Sequence, residues 1–520
     1  MTAKREARGF VKTNNMDQVY DVAVIGGGIN GCGIAADAAL RGLSVILFEK
    51  DDLASKTSSS SSKLIHGGIR YLEYYDFSLV RKALDERQML LNLAPHLVYS
   101  LPFAIPYQQS LRPAWLLRTG LFLYDHLSRK NKLPKSQLIK RALNPILFSP
   151  LKKYYDKGFM FYDCCTDDAR LTICNALQAK EHGALICTHT EVVSAQATKQ
   201  LWQLQVKNQD GSLSFIKARS IVNAAGPWIS KINEFLHIPD YCKIALIKGS
   251  HLVVNKLYEG EHAYLLQNED KRIVFVIPYQ GNSLIGTTDV KFEGDPEEVV
   301  INEEEIDYLI KLVNSYFNRR VEKKDIITSW SGVRPLLNTE GEKPQALSRD
   351  YVFHFSKQPA PSVAIYGGKI TTYRQLARDA IDALKSVFPN LPKTRTGTKV
   401  LPGAELNKMS FIEYRLYALN HFDWVPDHTL NRLVHTYGTK TSTILEGCTQ
   451  ISDLGAHFGH GMYEKELTYL IEVEWAQSAD DILWRRTKLG LQFNSLEKKN
   501  LEDYLAARQQ SVTAALASES

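Results

Sequence analysis

The hydrophobic pattern changes period several times along the chain, and each change marks an element. Residues 21–25 are a short β-branched run that reads as a buried strand. Residues 34–40 are rich in small helix formers, and Arg41-Gly42 ends that helix, glycine being favoured just past a C-terminus. A second apolar strand at 44–48 delivers Glu49. Between 76 and 95, Leu79, Val80, Ala83, Leu84, Met89 and Leu90 recur at helical spacing among charges, which predicts an amphipathic helix. A helix is expected from about Asp168, a strand at 183–193 and a hairpin over 199–219. Residues 250–335 alternate apolar and polar, as an antiparallel sheet does when one face carries a pocket wall. Residues 363–374 read as strand, Gly-Gly turn and helix N-terminus. Beyond about 400 the segments 408–420, 428–437, 463–478, 480–490 and 496–514 are mostly helical, without a glycine fingerprint.

Between the first strand and the first helix, Gly26, Gly28 and Gly31 supply G-x-G-x-x-G. The first permits a tight turn, the second lets a pyrophosphate approach the backbone, and the third lets helix and strand pack. Glu49 lies 23 residues beyond Gly26, where a carboxylate hydrogen-bonds an adenosine ribose and repels a 2′-phosphate. Strand, glycines, helix, second strand and acidic end occur in the order a dinucleotide site needs. They do not separate NAD from FAD.

The totals bound the rest. A chain of 520 residues accommodates two to four domains. It is 44% hydrophobic and 23% charged, an ordinary soluble composition. A net charge of +6 without a run of like charges suits anionic substrates or lipid and argues against a nucleic-acid partner. Seven cysteines (Cys32, Cys164, Cys165, Cys174, Cys187, Cys242 and Cys448) have no framework or C-x-x-C spacing, so they read as reduced core thiols and no metal site is expected. His457-Phe-Gly-His460 lacks the carboxylate or cysteine company of a metal site. Residues 1–16 are basic and polar without an apolar core and read as a disordered leader. No apolar run reaches the roughly 18 residues of a spanning helix.

Other stretches carry candidate chemistry. A serine-rich loop over 51–63 runs straight into Leu64-Ile-His-Gly-Gly-Ile-Arg-Tyr-Leu-Glu73, whose paired glycines let an aromatic ring approach the backbone. That favours a ligand-wrapping loop over a linker. Residues 111–130 combine Trp115, Phe122 and Tyr124 with Arg112, Arg118, Arg129 and Lys130, equally a core helix with a basic face or an interfacial membrane helix. Asn223-Ala-Ala-Gly-Pro-Trp228 reads as the return of the chain to the nucleotide domain.

These segments together resemble one family, the FAD-dependent, respiratory (aerobic) glycerol-3-phosphate dehydrogenases. The likeness rests on residues 25–37, 61–73, 223–228, 247–251 (Ile-Lys-Gly-Ser-His), 286–289 (Gly-Thr-Thr-Asp), 331–335 (Ser-Gly-Val-Arg-Pro), 367–374 (Gly-Gly-Lys-Ile-Thr-Thr-Tyr-Arg) and 479–488. It spans about 17 to 510; only the leader departs from it. The resemblance implies a Rossmann-like α/β FAD domain of the glutathione-reductase type, a mixed or antiparallel-sheet substrate domain, and an all-α C-terminal domain. The boundaries so implied are 17–95, 160–249 and 336–395 for the discontinuous FAD domain, 96–159 and 250–335 for the substrate-binding, membrane-facing domain, and 400–520 for the helical domain. By position, non-covalent FAD is expected at Gly26, Gly28, Asn30, Gly31, Glu49, Thr57, Ser58, Ser62, Lys63, Leu64, Gly68, Val192, Ala225, Gly226, Asp289, Gly368, Lys369, Thr371 and Thr372. The implied reaction oxidises sn-glycerol 3-phosphate to dihydroxyacetone phosphate and passes electrons to ubiquinone. Its members sit on the cytoplasmic face of the inner membrane, commonly as homodimers. That shifts the reading of 111–130 towards an anionic membrane surface.

The residue types suit this chemistry. Bidentate arginines fit phosphate oxygens, and Arg70, Arg334 and Arg349 lie in glycine-punctuated loops, with Lys369 and Tyr71 beside them, as the substrate-binding set. Oxidation needs hydride loss and a proton acceptor. Arg334 is expected to orient the reacting hydroxyl and His66 is the acid/base candidate. Other readings stay open: an oxygen-using glycerol-3-phosphate oxidase, an amine or amino-acid oxidase of the same fold needing a single arginine, or a non-catalytic binder without flavin.

Overall fold

The computed structural model describes residues 18–108, 110–198, 200–270, 272–337 and 350–517. The expected leader and Arg349 lie outside them. Two sheets and a helical domain make up the described chain.

The first sheet runs in the order Tyr351–Ser356, Ser362–Gly367, Leu213–Asn223, Val19–Ile25, Val45–Phe48 and Leu185–Cys187. The last five are parallel and Tyr351–Ser356 is an antiparallel edge. Leu201–Lys207 pairs with Leu213–Asn223 and with Glu191–Thr198, extending the expected hairpin into a three-strand meander. Helices Ile29–Leu40, Asp168–Glu181 and Tyr373–Ala383 cover one face, packing Ala35, Ile173 and Ala377 on Val24 and Leu47. Trp202, Leu204 and Leu236 cover the other. Burial on both faces is why Val19–Ile25 and Val45–Phe48 are continuous apolar runs.

The second sheet has ten strands. It passes from Val290–Lys291 through Ile244–Val254, Asn282–Gly286, Ile273–Tyr279, Ala263–Gln267, Val98–Pro106 and Lys157–Thr166 to Leu64–Ile65. Ile326–Leu337 pairs with Ile244–Val254, and Gln137–Lys140 with Lys157–Thr166. Within 250–335 the strands pair antiparallel as expected, and one parallel seam, where Ala263–Gln267 meets Val98–Pro106, makes the sheet as a whole mixed. Strands at 64–65, 157–166 and 244–254, which the implied boundaries put largely with the first sheet, belong to the second. Helix Glu303–Tyr316, opened by a capping box between Asn302 and Glu305, buries Leu309 and Val313 against Leu252 and Tyr264.

The third unit is built from helices Phe411–His421, Asp427–Tyr437, Glu464–Glu472 and Ser495–Ala517 around Leu430, Val434, Leu467, Ile482 and Leu501. It is not wholly helical: His457–Gly459 and Met462–Tyr463 form a small hairpin. There the His457 ring accepts the Gly461 N–H and His460 faces Glu497 at 3.3 Å. This unit docks on the first through buried ions. Arg486 grips Asp52 at 2.6 and 2.8 Å, Arg170 meets Glu474, and Lys488 reaches Asp167 at 2.9 Å. Removing one partner would strand a buried charge, at a cost of about 3–5 kcal/mol.

Candidate active site

A cavity of about 750 Å³ runs between the two sheets. One end is walled mainly by backbone. Gly26 leaves the first strand at φ +112°, and a Cβ there would lie 2.7 Å from the Ala224 carbonyl oxygen. A Cβ on Gly31 would sit 1.9 Å from the Gly26 carbonyl oxygen, so strand and helix can meet only at glycine. Gly28 heads helix Ile29–Leu40 and faces the cavity, with Ser58 Oγ the single atom near its Cβ position. The Ile29 N–H donates to that Oγ at 2.9 Å. Glu49 accepts the N–H groups of Gly27 at 2.7 Å and Asp51 at 2.9 Å, and burial pushes its carboxyl above the usual range. Val192, Ala225 and Gly226 continue this wall, and Lys50 stands 5.7 Å over the Trp228 ring.

The middle of the cavity is lined by Thr57, Ser58, Ser60, Ser61, Ser62, Leu64, Gly368 and Thr371. Thr57 ties its loop to the second sheet by donating to the Val333 carbonyl at 2.7 Å. Asn30 donates to the Gly367 carbonyl at 3.4 Å, while its buried Oδ1 has no partner. His251 forms part of the wall: its Nε2 lies 2.8 Å from Ser62 Oγ, and its ring stacks on Trp330 at 5.6 Å. Burial, aided by the charges of Arg334 and Lys63, holds the His251 imidazole well below its ordinary pKa, so it stays neutral.

The far end is built from charges. Asp289, 8% exposed, sits between two arginines, 3.2 Å from Arg70 Nη1 and 3.2 Å from Arg334 Nη1. Arg334 Nη2 also donates to the Thr288 carbonyl at 3.1 Å. It passes so close to Gly249 that a Cβ there would lie 2.0 Å from Nη2. Lys369 Nζ stands 4.1 Å over the Tyr71 ring, and both residues line the cavity with Arg334 and His66. Gly68, in the left-handed region at φ +74°, has no room for a Cβ beside that ring. The backbone of His66 exchanges contacts of 3.3 and 3.4 Å with Thr371 Oγ1.

The structure thus brings Gly26, Gly28, Asn30, Glu49, Thr57, Ser58, Ser62, Leu64, Val192, Ala225, Gly226, Gly368, Lys369 and Thr371 onto one cavity with His66, Tyr71 and Arg334. Gly31, Gly68 and Thr372 do not line it; Gly31 packs against Gly26 and Gly68 against the Tyr71 ring, and Thr372 is buried. Lys63 and Asp289, also expected at the cofactor, do not line the cavity. The buried Lys63 ammonium pairs with Asp168 at 2.8 and 2.9 Å and also donates to the Ser59 carbonyl of its own loop. Asp289 holds the two arginines instead of lining the cavity. His251, Gly249 and Thr287 were not among the expected site residues. His251 lay in a quoted segment, but a histidine in an alternating strand reads equally as core.

A helix N-terminus opening on the cavity, a carboxylate lining it just past the second strand, and an unpartnered Asn30 acceptor fit FAD. Fold and site together define an FAD-dependent oxidoreductase. The FAD-dependent oxidoreductase family matches residues 21–373, and the C-terminal domain of alpha-glycerophosphate oxidase matches 394–508. The chain is 50% identical to a glycerol-3-phosphate dehydrogenase of Pseudomonas aeruginosa over 94% of this chain and 95% of that one. It is 45% identical to a D-erythritol 1-phosphate dehydrogenase of Brucella abortus over 92% and 96%. The glycerol-3-phosphate dehydrogenase of Bacillus halodurans, solved with FAD, superposes with TM-score 0.76 at 25% identity, covering 97% of each chain. The chain belongs to the family of FAD-dependent glycerol-3-phosphate dehydrogenases.

Proposed function

We propose that the chain oxidises sn-glycerol 3-phosphate to dihydroxyacetone phosphate and that its electrons pass on to a membrane quinone. The observation that carries this reading is the Arg70–Asp289–Arg334 bridge at the same cavity end as Lys369 and Tyr71. Planar guanidinium donors held by a shared carboxylate are pre-aimed, so little side-chain entropy is lost when a phosphomonoester arrives. Arg334, fixed by Asp289 and the Thr288 carbonyl, orients the reacting hydroxyl and stabilises negative charge as its proton leaves. His66 accepts that proton; His251, kept neutral by burial, holds Ser62 and the loop around it. FAD, when bound, supplies the acceptor for the hydride from the carbinol carbon. The C–H and O–H bonds of one secondary alcohol break, and a carbonyl forms.

The membrane side of the reading rests on helix Ala114–His126. It buries Leu121 and Tyr124 and exposes Trp115 (69%), Leu116 and Phe122 (58%), near exposed Arg118, Arg129 and Lys130. An apolar face rimmed by cations suits the surface of an anionic bilayer. Among the described residues no helix is long and apolar enough to cross one.

The test is anaerobic absorbance of the FAD-loaded protein. Bleaching of the flavin band by glycerol 3-phosphate, and not by glycerol or amino acids, followed by reoxidation with a soluble ubiquinone, is the expected result. Preferential bleaching by D-erythritol 1-phosphate would move the substrate to the chemistry of the Brucella relative. Stoichiometric peroxide without quinone would make oxygen the acceptor.

A further inference from the structure

The helix with the exposed apolar face is wired to the substrate end of the cavity by one hydroxyl. Tyr124 stands on the inner side of Ala114–His126 and is 1% exposed. Its Oη accepts the Gly67 N–H at 2.8 Å and donates to Asp163 Oδ2 at 2.7 Å. Asp163 is paired in turn with Arg87, whose other guanidinium arm donates at 2.9 Å to Asn131 Oδ1, just beyond the same helix. The Gly67 N–H has one further contact, a long 3.4 Å to Asp163 Oδ1. A Cβ on Gly67 would stand 2.7 Å from the Tyr124 Oη, so only glycine lets the loop come this close. The peptide held in this way lies between His66 and Gly68, and His66 and Tyr71 line the cavity on either side of it.

We propose that Tyr124 is a positioning residue: its hydroxyl fixes the 66–68 backbone and so sets the placement of His66 and Tyr71 at the substrate end of the cavity. The proposal rests on reading this cavity end as the glycerol phosphate site. A buried N–H that loses its partner is costly, whereas the tyrosine ring alone, edge-on to Phe161 at 6.0 Å, provides packing. The hydroxyl is therefore separable from the ring.

The test uses full-length, FAD-loaded Tyr124→Phe. The KM for glycerol 3-phosphate should rise about tenfold while flavin content and band position stay at wild-type values. Leu121→Ala, on the same buried face of the helix, is the control. It should lower Tm at least as much and leave KM unchanged. An unchanged KM in Tyr124→Phe, or an equal rise in Leu121→Ala, would overturn the proposal. Hydrogen exchange of the wild-type protein tests it without a variant. The Gly67 amide should exchange as slowly as the strand Val98–Pro106, and exchange at loop rates would overturn it. If the wild-type flavin is not bleached by glycerol phosphate, the substrate reading has failed and the exchange result still stands.

Discussion

The two ends of the cavity are built from different materials. At the dinucleotide end the contacts come from backbone: a turn at Gly26, a helix N-terminus at Gly28, and two N–H groups fixing Glu49. At the substrate end they come from charged side chains: Arg334 and Lys369 line the cavity, and Asp289 holds Arg334 from behind together with Arg70, the four coming from separate segments. Backbone sites tolerate almost any side chain except where one would fill the space, so they are sensitive to added atoms. Side-chain sites are sensitive to removed ones. The difference predicts opposite kinds of damage at the two ends.

The largest effect is expected from adding one methyl group at the dinucleotide end. In Gly31→Ala the Cβ would lie 1.9 Å from the Gly26 carbonyl oxygen, which neither strand nor helix can yield. The variant should purify without flavin and with a Tm lowered by an amount corresponding to about 3 kcal/mol. Gly28→Ala has only Ser58 Oγ nearby at 3.1 Å and should still fold. A yellow, stable Gly31→Ala would break the comparison.

Removing a charge at the other end should spare the fold. Arg334→Met loses the pairing with Asp289 and the bond to the Thr288 carbonyl, and leaves Asp289 with Arg70. Charge-assisted bonds are worth about 1.5–3 kcal/mol each, so kcat/KM for glycerol 3-phosphate should fall about 100-fold or more. The flavin spectrum and Tm should change little. Loss of flavin in this variant would show that the two ends are not independent.

How much of each end was legible follows from the same difference. The dinucleotide end is local: strand, glycines, helix, second strand and Glu49 follow one another within a single βαβ unit, so spacing alone locates it. The serine loop was legible because it leads into His66-Gly67-Gly68. The substrate end is assembled by tertiary structure. Loop context points to Arg70 and Arg334, but the bridge that Asp289 makes between them is set by which residues the fold brings beside it and is not legible in spacing. The pairing of the Lys63 ammonium was not legible for a similar reason: its partner, Asp168, lies over a hundred positions away and heads another element. Sheet membership of 64–65, 157–166 and 244–254 was also not readable, since an alternating strand carries no mark of which sheet it joins.

His251 lies at the seam of the two ends and gives a pH signature. Its folded-state pKa is depressed, so the unfolded chain takes up a proton below about pH 6.5 that the folded protein refuses. Stability should therefore fall as pH drops below that point, by up to about 1.4 kcal/mol per pH unit. Urea unfolding at pH 7.0 and 5.5, compared with His251→Asn, checks it; the variant should show a flatter dependence. An equal slope in both would assign the loss to other groups, such as buried His96, whose pKa burial pushes down to about 3.

The smallest effect concerns an ion-pair cluster at the mouth of the dinucleotide end. Glu297, on the turn Pro296–Glu298 beyond the second sheet, reaches across the cavity mouth to Lys50 at 2.5 Å and to Lys56. Both lysines line the cavity in the stretch that follows the second strand, as does Glu297 on the far side, so this pair of contacts spans the mouth beside Glu49. All three side chains are about one-third exposed, where an ion pair contributes only about 0.2–1 kcal/mol and is screened by salt. Glu297→Gln should therefore release FAD about two- to fivefold faster at low ionic strength, read as the recovery of free-flavin fluorescence on dilution. In about 1 M salt, where the Debye length shrinks to about 3 Å, wild type and variant should converge. Turnover with saturating FAD should be equal, because Glu297 contacts none of the charges at the substrate end. A release rate unchanged by both the substitution and salt would mean that backbone alone retains the cofactor, which would sharpen the contrast between the two ends to its limit.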